Sequence, residues 1–227
     1  MSTSGSIDFN LTARELITFA LRKINMVDEN EDPPAGMSAR AMNELNVMLK
    51  EWQKYENLWR LTEGSVTLVA STYSYSLSPV PNRVVSARYR DANARDLPML
   101  EMNRDRYYDM PLKNSVVGIP TEWYVDYQRT TATMYFWQML SSVTTETVNY
   151  TYFRKFEDID DLANDVDIRQ EHFGLVGYNL ASRMADDYGR SGPHIDRIIA
   201  RAEQLRNEAL DEDREDFIQF VPEIRRV

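Results

Sequence analysis

The chain has 227 residues, 43% of them hydrophobic and 27% charged, and no apolar run approaches the roughly 20 residues that a membrane span needs. With 36 acidic residues against 26 basic ones it carries a formal net charge of −10, which argues against a protein that grips duplex DNA through clustered Lys and Arg. There are no cysteines, so disulfides and thiol catalysis are excluded, as suits a protein made in a reducing cytoplasm.

Two helices are predicted in the N-terminal part of the chain. Thr12 with Glu15 three residues later is a capping-box pattern, and the apolar residues that follow mark an amphipathic helix to about Met26. The acidic and Pro-rich residues 28–36 predict a loop, after which Ser38 is the expected N-cap of the second helix. The two helices are expected to lie antiparallel.

From residue 65 the apolar period changes from helical to two, which predicts a β-rich insert of about six strands over residues 65–155. Alternation is clearest near the end of the insert, where Val148, Tyr150 and Tyr152 should point to one face. The connections are too short for crossover helices, so the strands are expected to be mainly antiparallel, with a brief helix at 103–110. The strand candidates are residues 66–69, 73–77, 84–90, 97–100, 121–127, 133–138 and 146–153.

The helix predicted over residues 168–188 is the element around which the chain is organised. Its apolar side chains recur at helical spacing, and Gly174 and Gly177 interrupt them, each at a cost of about 1 kcal/mol relative to Ala. The two glycines either allow another backbone to approach closely or are tolerated because packing dominates. Gly189 is placed to end this helix in a left-handed cap, and Pro193 to begin the last helix.

The predicted fold class is α+β. An α-helical bundle, made of the N-terminal helix pair and a long C-terminal helix pair, carries the mainly antiparallel β-rich insert and an extended C-terminal tail. The predicted domains are a helical domain over residues 1–64 and 156–216, the insert over 65–155 and the tail over 217–227.

No chemical motif stands out in the chain. It lacks a glycine-rich phosphate loop, a nucleophile elbow and metal-ligand spacing, so no catalytic, cofactor or metal site is predicted. His172 and His194 are the only histidines, which leaves little material for acid–base chemistry. The acidic residues 156–167 are better matched to helix capping and a solvated loop than to calcium, because they lack the Gly and closing Glu of a tight calcium loop.

The order of elements resembles the head-to-tail adaptor proteins of tailed bacteriophages, the tail-accessory or head-completion factors of short-tailed phages. The resemblance covers most of residues 12–215. One departure is that residues 137–142 stand where the family often has a proline-rich turn. The similar segments are residues 13–16 with 20–24, 45–52, 73–79 followed by 82–84, 118–121, 148–150 with 153–154, and 180–181 with 187–189.

This resemblance implies a virion structural protein of the neck or tail region, assembled in the host cytoplasm and not bound to a membrane. About twelve copies would form a ring under the portal protein, extend the DNA channel, help to retain packaged DNA and carry tail nozzle, tail tube or tail fibre proteins. Net negative charge fits a channel wall that DNA slides past without specific binding.

Three groups of residues are candidates for this role. Gly174 and Gly177 are expected to contact a neighbouring subunit. The acidic candidates for the channel wall, which could equally be a solvated helix end, are Glu208, Asp211, Glu212, Asp213, Glu215 and Asp216. The apolar tail is expected to dock on the portal or a neighbour, the alternatives being a disordered end or packing on its own domain; its candidate residues are Phe217, Ile218, Phe220, Val221, Ile224, Arg225 and Arg226.

Two other functions stay open at this point. One is an interaction module of the tail or baseplate. The other is a cell-wall hydrolase that uses a carboxylate pair, for which Glu51 with Glu56 and Asp186 with Asp187 are examples.

Overall fold

The computed structural model describes residues 5–54, 60–113, 115–142 and 145–212. Within them the chain divides into two compact units, a helical unit (residues 5–51 and 157–212) and a sheet unit (residues 52–54 and 60–156). The helices of the described residues are α1 (Ala13–Lys23), α2 (Ala35–Trp52), α3 (Arg104–Asp109), α4 (Phe173–Asp187) and α5 (Pro193–Glu212). The strands are β1 (Leu61–Thr67), β2 (Ser74–Ser76), β3 (Arg83–Arg90), β4 (Asp96–Glu101), β5 (Glu122–Tyr127), β6 (Ala132–Trp137) and β7 (Thr147–Phe153).

Helix α1 begins at the predicted capping box, which is confirmed. The Thr12 hydroxyl accepts a hydrogen bond from the Glu15 amide, and the Glu15 carboxylate accepts one from the Thr12 amide at 2.8 Å. The helix ends at Lys23, short of the predicted Met26, because Asn25 adopts a left-handed conformation with φ of 55°. Its buried face is made of Ala13, Leu16, Ile17, Thr18, Ala20 and Leu21.

Helix α2 begins at Ala35, so the predicted N-cap at Ser38 is wrong. The amide groups of Met37 and Ser38 donate to the Pro34 carbonyl oxygen, and this starts the helix directly after the prolines. A proline is favourable just before the first turn because its φ is already close to the helical value. Ser38 is buried, and its hydroxyl donates to the Pro33 carbonyl oxygen at 3.4 Å.

Helix α4 is the core helix of the helical unit. It begins at Phe173, after a 3₁₀ turn over Gln170–His172, so the predicted start at residue 168 is wrong. The predicted apolar stripe is buried from Phe173 to Met184, and its last residue, Tyr188, is half-buried. The left-handed cap at Gly189, with φ of 60°, and the start of α5 at Pro193 are confirmed. Helix α4 packs against both α1 and α5.

The strands of the sheet unit form one sheet of seven among the described residues, in the order β1-β7-β3-β4-β5-β6-β2. Neighbours are antiparallel except β4 and β5, which are parallel. The chain between them contains α3, the brief helix that was predicted, and this connection is long enough to return the chain in the same direction.

The predicted α-helical bundle with a β-rich insert is therefore wrong as a fold class. The described residues form a mixed α/β protein in which a seven-stranded sheet is a major part of the structure beside five helices. The helices dominate the sequence pattern because they have the strongest local periodicity. The first strand begins earlier than predicted, since residues 61–65 have few strand-forming side chains and become β1 by pairing with β7.

The larger of two buried clusters in the sheet unit includes the inward-facing residues of β7. The predicted inward alternation of Val148, Tyr150 and Tyr152 in β7 is confirmed, as all three are buried. Opposite them in β1, Gly64 lies under the Tyr150 ring, where an added Cβ would be 2.5 Å from the ring carbon Cζ. Gly64 therefore lets an aromatic side chain lie across the edge strand.

Candidate interaction surfaces

A cleft of about 800 Å³ lies in the helical unit between α1 and the residues that follow it. Helix α1 forms one wall with the side chains of its exposed face, and residues 25–32 form the other. Its lining residues are Arg14, Glu15, Thr18, Phe19, Arg22, Lys23, Asn25, Val27, Asp28, Glu29 and Asp32.

The apolar part of the cleft is centred on the half-buried ring of Phe19. This ring meets Tyr178 edge-on, with 5.8 Å between the ring centroids, and the ammonium group of Lys23 lies 5.1 Å above it. Beneath it, α4 presents Gly177, where a Cβ would be 2.6 Å from the Phe19 ring. Phe19 is thereby held in place with part of its ring facing the cleft.

Charges of both signs surround this apolar part. Among the basic groups, Arg22 donates to the Glu31 carbonyl oxygen at 3.2 Å. The Glu15 carboxylate is used in the capping box, and its hydrogen bonds with Thr12 hold its pKa below the usual value. Asp28, Glu29 and Asp32 are exposed, and within the described part of the chain no hydrogen bond or ion pair occupies their carboxylates. The outer wall of the cleft is therefore an acidic rim, defined by these three residues.

A cluster of tyrosines covers the sheet unit where α3 meets β5 and β6. The ring of Tyr107 lies 5.0 Å from those of Tyr124 and Tyr135, and the exposed ring of Tyr108 adjoins Tyr107 at 5.4 Å. The Lys113 ammonium group lies 5.6 Å from the Tyr107 ring centroid. Burial, followed by the neighbouring tyrosines, raises the pKa of Tyr107 to about 12.

Both units expose large apolar side chains. In the sheet unit Leu100 is 70% exposed and Leu112 is 68% exposed, and Ile119 is half exposed. In the helical unit Ile7 and Phe9 lie on the surface, held by a hydrogen bond from Gln170 to the Ile7 carbonyl oxygen and by the Phe9 ring against Phe173. Exposed apolar side chains of this size are candidates for contacts with other proteins where they lie next to one another.

The predicted acidic candidates lie only partly within the described residues. Glu208 and Asp211 are exposed on α5, and Glu208 accepts a hydrogen bond from Gln204 at 2.7 Å. Glu212 is the last residue of α5. Asp213, Glu215 and Asp216 lie outside the described residues, as do all the tail candidates from Phe217 to Arg226. Their roles stay predictions.

The two glycines proposed as subunit contacts differ in their surroundings. An added Cβ at Gly174 would meet nothing within 4 Å. At Gly177 the space that a Cβ would take is occupied by the Phe19 ring of the same chain. The contact that Gly177 allows is therefore with a side chain of α1. Whether Gly174 also faces a neighbouring subunit stays a prediction.

Two of the carboxylates weighed for catalysis, Glu51 and Asp187, form ion pairs within the helical unit. Glu51 forms an ion pair with Arg183, and Asp187 forms one with Arg40 at 2.9 Å. Glu56 lies outside the described residues. His172 is buried, and His194 Nε2 lies 2.8 Å from the Lys23 carbonyl oxygen.

Across residues 5–212, apart from the gaps named above, there is no group of three or more acidic or His side chains arranged to hold a metal ion. In the same ranges no helix has the length and apolar character needed to cross a membrane.

Sequence reasoning missed both the cleft and the tyrosine cluster. The cleft depends on how the residues after α1 fold back along it, which no local pattern reports. For the cluster there was a signal, since the chain has 13 tyrosines, and two of them, Tyr107 and Tyr108, are adjacent in a predicted helix.

Comparisons with known proteins give structural likenesses but no family. No protein-family model matches the chain, and no curated protein matches it. Among solved structures, the chain is similar to a chain from the neck of an empty GTA particle computed with C6 symmetry. The identity is 13%, the match covers 87% of this chain and 93% of the other, and the TM-score is 0.31. That score lies below the level that indicates a common fold.

Proposed function

We propose that this protein is a structural component of a phage virion, a head-to-tail adaptor that forms a ring under the portal protein. In this role it extends the DNA channel, helps to retain packaged DNA and provides a platform for tail proteins. It acts by binding other proteins and catalyses no reaction.

The observation that carries the proposal is the amount of apolar side chain exposed in both units. Leu100 and Leu112 in the sheet unit and Ile7 and Phe9 in the helical unit would be covered in an assembly whose partners contact both units. The sequence resemblance to the adaptor family supports the same conclusion. So does the formal charge of −10, since a channel wall of like charge offers packaged DNA no binding site.

The mass of the complex with a candidate portal protein tests the proposal. We expect the mixture to give a symmetric ring of many copies of this chain on the portal ring, measured by mass photometry and seen by negative-stain microscopy. Replacement of Leu100 and Leu112 by Ser should reduce incorporation into the complex. The matched control is Thr67→Ser, an exposed change on the outer strand β1 that removes no large apolar side chain.

A chain that stays monomeric with portal protein and is absent from the neck of virions would overturn the proposal. Assembly on a tail or baseplate ring instead would support the interaction-module alternative. The enzyme alternative would be supported if the wild type hydrolysed cell-wall polymer and the Glu51→Gln variant did not. Glu51 is the carboxylate that pairs with Arg183.

A further inference from the structure

We propose that the open edge of β1 pairs antiparallel with β1 of a second copy, about a twofold axis at Gly64, so that the free protein is a dimer. The inference goes beyond the proposed function and does not depend on it. Copies in one ring all point the same way along its axis, so a contact with twofold symmetry belongs to the protein outside the ring. It follows from the backbone groups that β1 leaves unpaired and from the side chains that this pairing brings together.

The direction of the backbone groups alternates along β1. The Arg154 amide donates to the Arg60 carbonyl oxygen at 2.9 Å, just before the strand. The Leu68 amide donates to the Glu146 carbonyl oxygen at 2.9 Å, just after it. The even-numbered residues between these two positions therefore bond to β7, and the odd-numbered residues direct their amide and carbonyl groups to the opposite side. Because β1 is the first strand in the sheet order, no strand of the described residues lies on that side.

The open edge ends at Val69. The amide of Val69 donates to the Tyr75 hydroxyl oxygen at 2.8 Å, and the same hydroxyl lies 3.2 Å from the Val69 carbonyl oxygen. Before Val69, the outward groups of the odd-numbered residues make no hydrogen bond to any described residue. These residues are Leu61, Glu63, Ser65 and Thr67. The unpaired edge therefore coincides with the seven residues of β1.

Strand β1 lacks the features by which edge strands usually avoid pairing. It contains no Pro and no Lys, and its register with β7 runs from Leu61 to Thr67 without a bulge. The other edge strand, β2, has three residues. Strand β1 is therefore the edge of this sheet that can accept another strand over a long stretch.

One register of β1 with itself uses every unpaired backbone group. Centred on Gly64, it places Leu61 opposite Thr67 of the second copy and Glu63 opposite Ser65, and each such pair exchanges two hydrogen bonds. A centre at Glu63 would place two carboxylates directly opposite each other, which is unfavourable. A centre at Ser65 would leave the outward groups of Leu61 unpaired.

The same register covers the exposed apolar side chains at the two ends of the edge. Leu61 is 53% exposed and Val69 is 50% exposed. Val69 continues the alternation of β1, so the two side chains belong to the same face of the sheet. Pairing about Gly64 sets Leu61 of each copy diagonal to Val69 of the other, a distance that long side chains can bridge.

The centre of the pairing has neither a steric nor an electrostatic obstacle. Gly64 has no side chain, and the Tyr150 ring occupies the space where its Cβ would lie. Two facing Gly64 residues therefore leave the space at the axis to the two Tyr150 rings. Beside them, the Glu63 carboxylate is paired with Arg88 at 2.7 Å. Length, register and charge all match when the added strand is β1 itself, and this selects a second copy as the partner.

Substitution of Ser65 tests the register with a charge of either sign. Ser65 is exposed, and Ser65→Lys would place an ammonium group opposite Glu63 of the second copy, whereas Ser65→Glu would place a carboxylate there. Because the contact occurs twice in a twofold dimer, we expect Ser65→Lys to tighten the dimer about fivefold and Ser65→Glu to weaken it about fivefold. Sedimentation velocity of the full-length proteins over a range of concentrations measures the dissociation constant.

The matched controls are Asn207→Lys and Asn207→Glu. Asn207 is exposed on α5, so these variants change the net charge of the chain by the same amounts at a position outside β1. Both should associate as the wild type does. A wild type that is monomeric at every concentration, or Ser65 variants that associate equally, would overturn the inference.

Disulfide trapping tests the same register by an independent measurement. The chain has no cysteine, so mixing Leu61→Cys with Thr67→Cys gives a pair of thiols that only the register centred on Gly64 sets opposite each other. On oxidation we expect a covalent dimer on a non-reducing gel. Neither variant alone should form it, because in that register two copies of position 61, or of position 67, lie about 20 Å apart. Absence of the dimer in the mixture, or an equal yield from one variant alone, would contradict the pairing.

Discussion

Gly177 shows how one residue without a side chain decides the packing of two helices. An added Cβ there would be 2.6 Å from the Phe19 ring, so the absence of a side chain lets α1 and α4 approach each other. At Gly174, about one turn earlier, an added Cβ would meet no atom within 4 Å. The two glycines therefore have different structural roles although they lie in the same helix.

We expect Gly177→Leu to lower the free energy of unfolding by about 1–3 kcal/mol, because the new side chain must displace Phe19 from a packed position. Gly174→Ala is the matched control and should be neutral or stabilising, since it gains helix propensity without a clash. Urea denaturation followed by circular dichroism measures both. Equal stability of Gly177→Leu and the wild type would show that the Phe19 ring can move aside freely.

Tyr107 gives a prediction for alkaline pH. Burial raises its pKa to about 12 in the folded chain, above the ordinary value of 10. The neutral side chain is thus favoured by folding, so its contribution to stability is complete below pH 10 and is lost as the pH rises toward 12. Tyr107→Phe keeps the ring and removes the ionisable group.

We expect Tyr107→Phe to weaken the loss of stability between pH 10 and 12, measured by urea denaturation at several pH values. Thr67→Ser, an exposed change in β1 that removes no ionisable group, is the control and should lose stability with pH as the wild type does. If Tyr107→Phe and the wild type lose stability in parallel across that range, other tyrosines of the cluster carry the effect.

At the scale of elements, the start of α1 depends on two side chains. The Thr12 hydroxyl and the Glu15 carboxylate each accept a hydrogen bond from an amide at the beginning of the helix. Thr12→Ala should therefore lower the free energy of unfolding by about 1 kcal/mol, while Thr12→Ser should retain most of it. Urea denaturation at neutral pH measures the difference.

Acid provides a second readout of the same cap. The pKa of Glu15 is lowered by its hydrogen bonds with Thr12, so its contribution is present above the unfolded-state pKa and is lost as the pH falls. The difference in the free energy of unfolding between Thr12→Ala and the wild type should therefore become smaller in acid. If this difference is the same at every pH, Glu15 does not take part in the cap.

Strand β1 is one of the two edge strands of the sheet, and its two faces meet different surroundings. Gly64 lies under the Tyr150 ring, whereas Ser65 points to the exposed face. Gly64→Val should destabilise the sheet unit because its side chain would collide with the ring at 2.5 Å, at a cost of about 1–3 kcal/mol. Ser65→Val should be neutral or slightly stabilising through its higher strand propensity.

Thermal unfolding of the two variants provides the comparison. The difference between their melting temperatures is informative because the two positions are adjacent and valine is introduced at both. Similar melting temperatures for both variants would show that the Tyr150 ring has room to leave Gly64.

At the scale of the whole molecule, the net charge of −10 predicts how the protein meets DNA. We expect no retardation of duplex DNA by the wild-type chain at physiological salt, since non-specific binding draws on Lys and Arg that neutralise phosphates. Glu208 and Asp211 are exposed on α5, and their replacement by Lys should give weak, salt-sensitive binding. Electrophoretic mobility shifts at two salt concentrations measure this. Tight binding by the wild type would contradict a passive channel wall.

The features that could be predicted from sequence are those set by neighbours along the chain. The capping box at Thr12, the left-handed Gly189, the start of α5 at Pro193 and the alternation in β7 each depend on a few adjacent residues. Local chemistry is therefore enough to place these elements. It was not enough at Ser38, because the prolines before it start the helix earlier.

The candidate sites show the same division. Sequence could mark Gly174 and Gly177 as unusual in a helix, but only the structure shows that one is filled by Phe19 and the other is open. The cleft and its acidic rim also come from the path of residues 25–32 alongside α1. Neither the Phe19–Gly177 contact nor the cleft produces a periodic pattern in the sequence, since the residues that meet there come from different elements.

By itself, the sequence determined the existence and type of most elements, the acidic character of the molecule and the lack of cysteine chemistry. The tertiary structure decided how those elements combine: the start of β1 at Leu61, its pairing with β7, the parallel pair of β4 and β5, and hence a mixed α/β fold instead of a helical bundle. The physical reason is that strand pairing is made between residues far apart in the chain, so a weak local preference is overridden by the hydrogen bonds and burial that the partner strand provides.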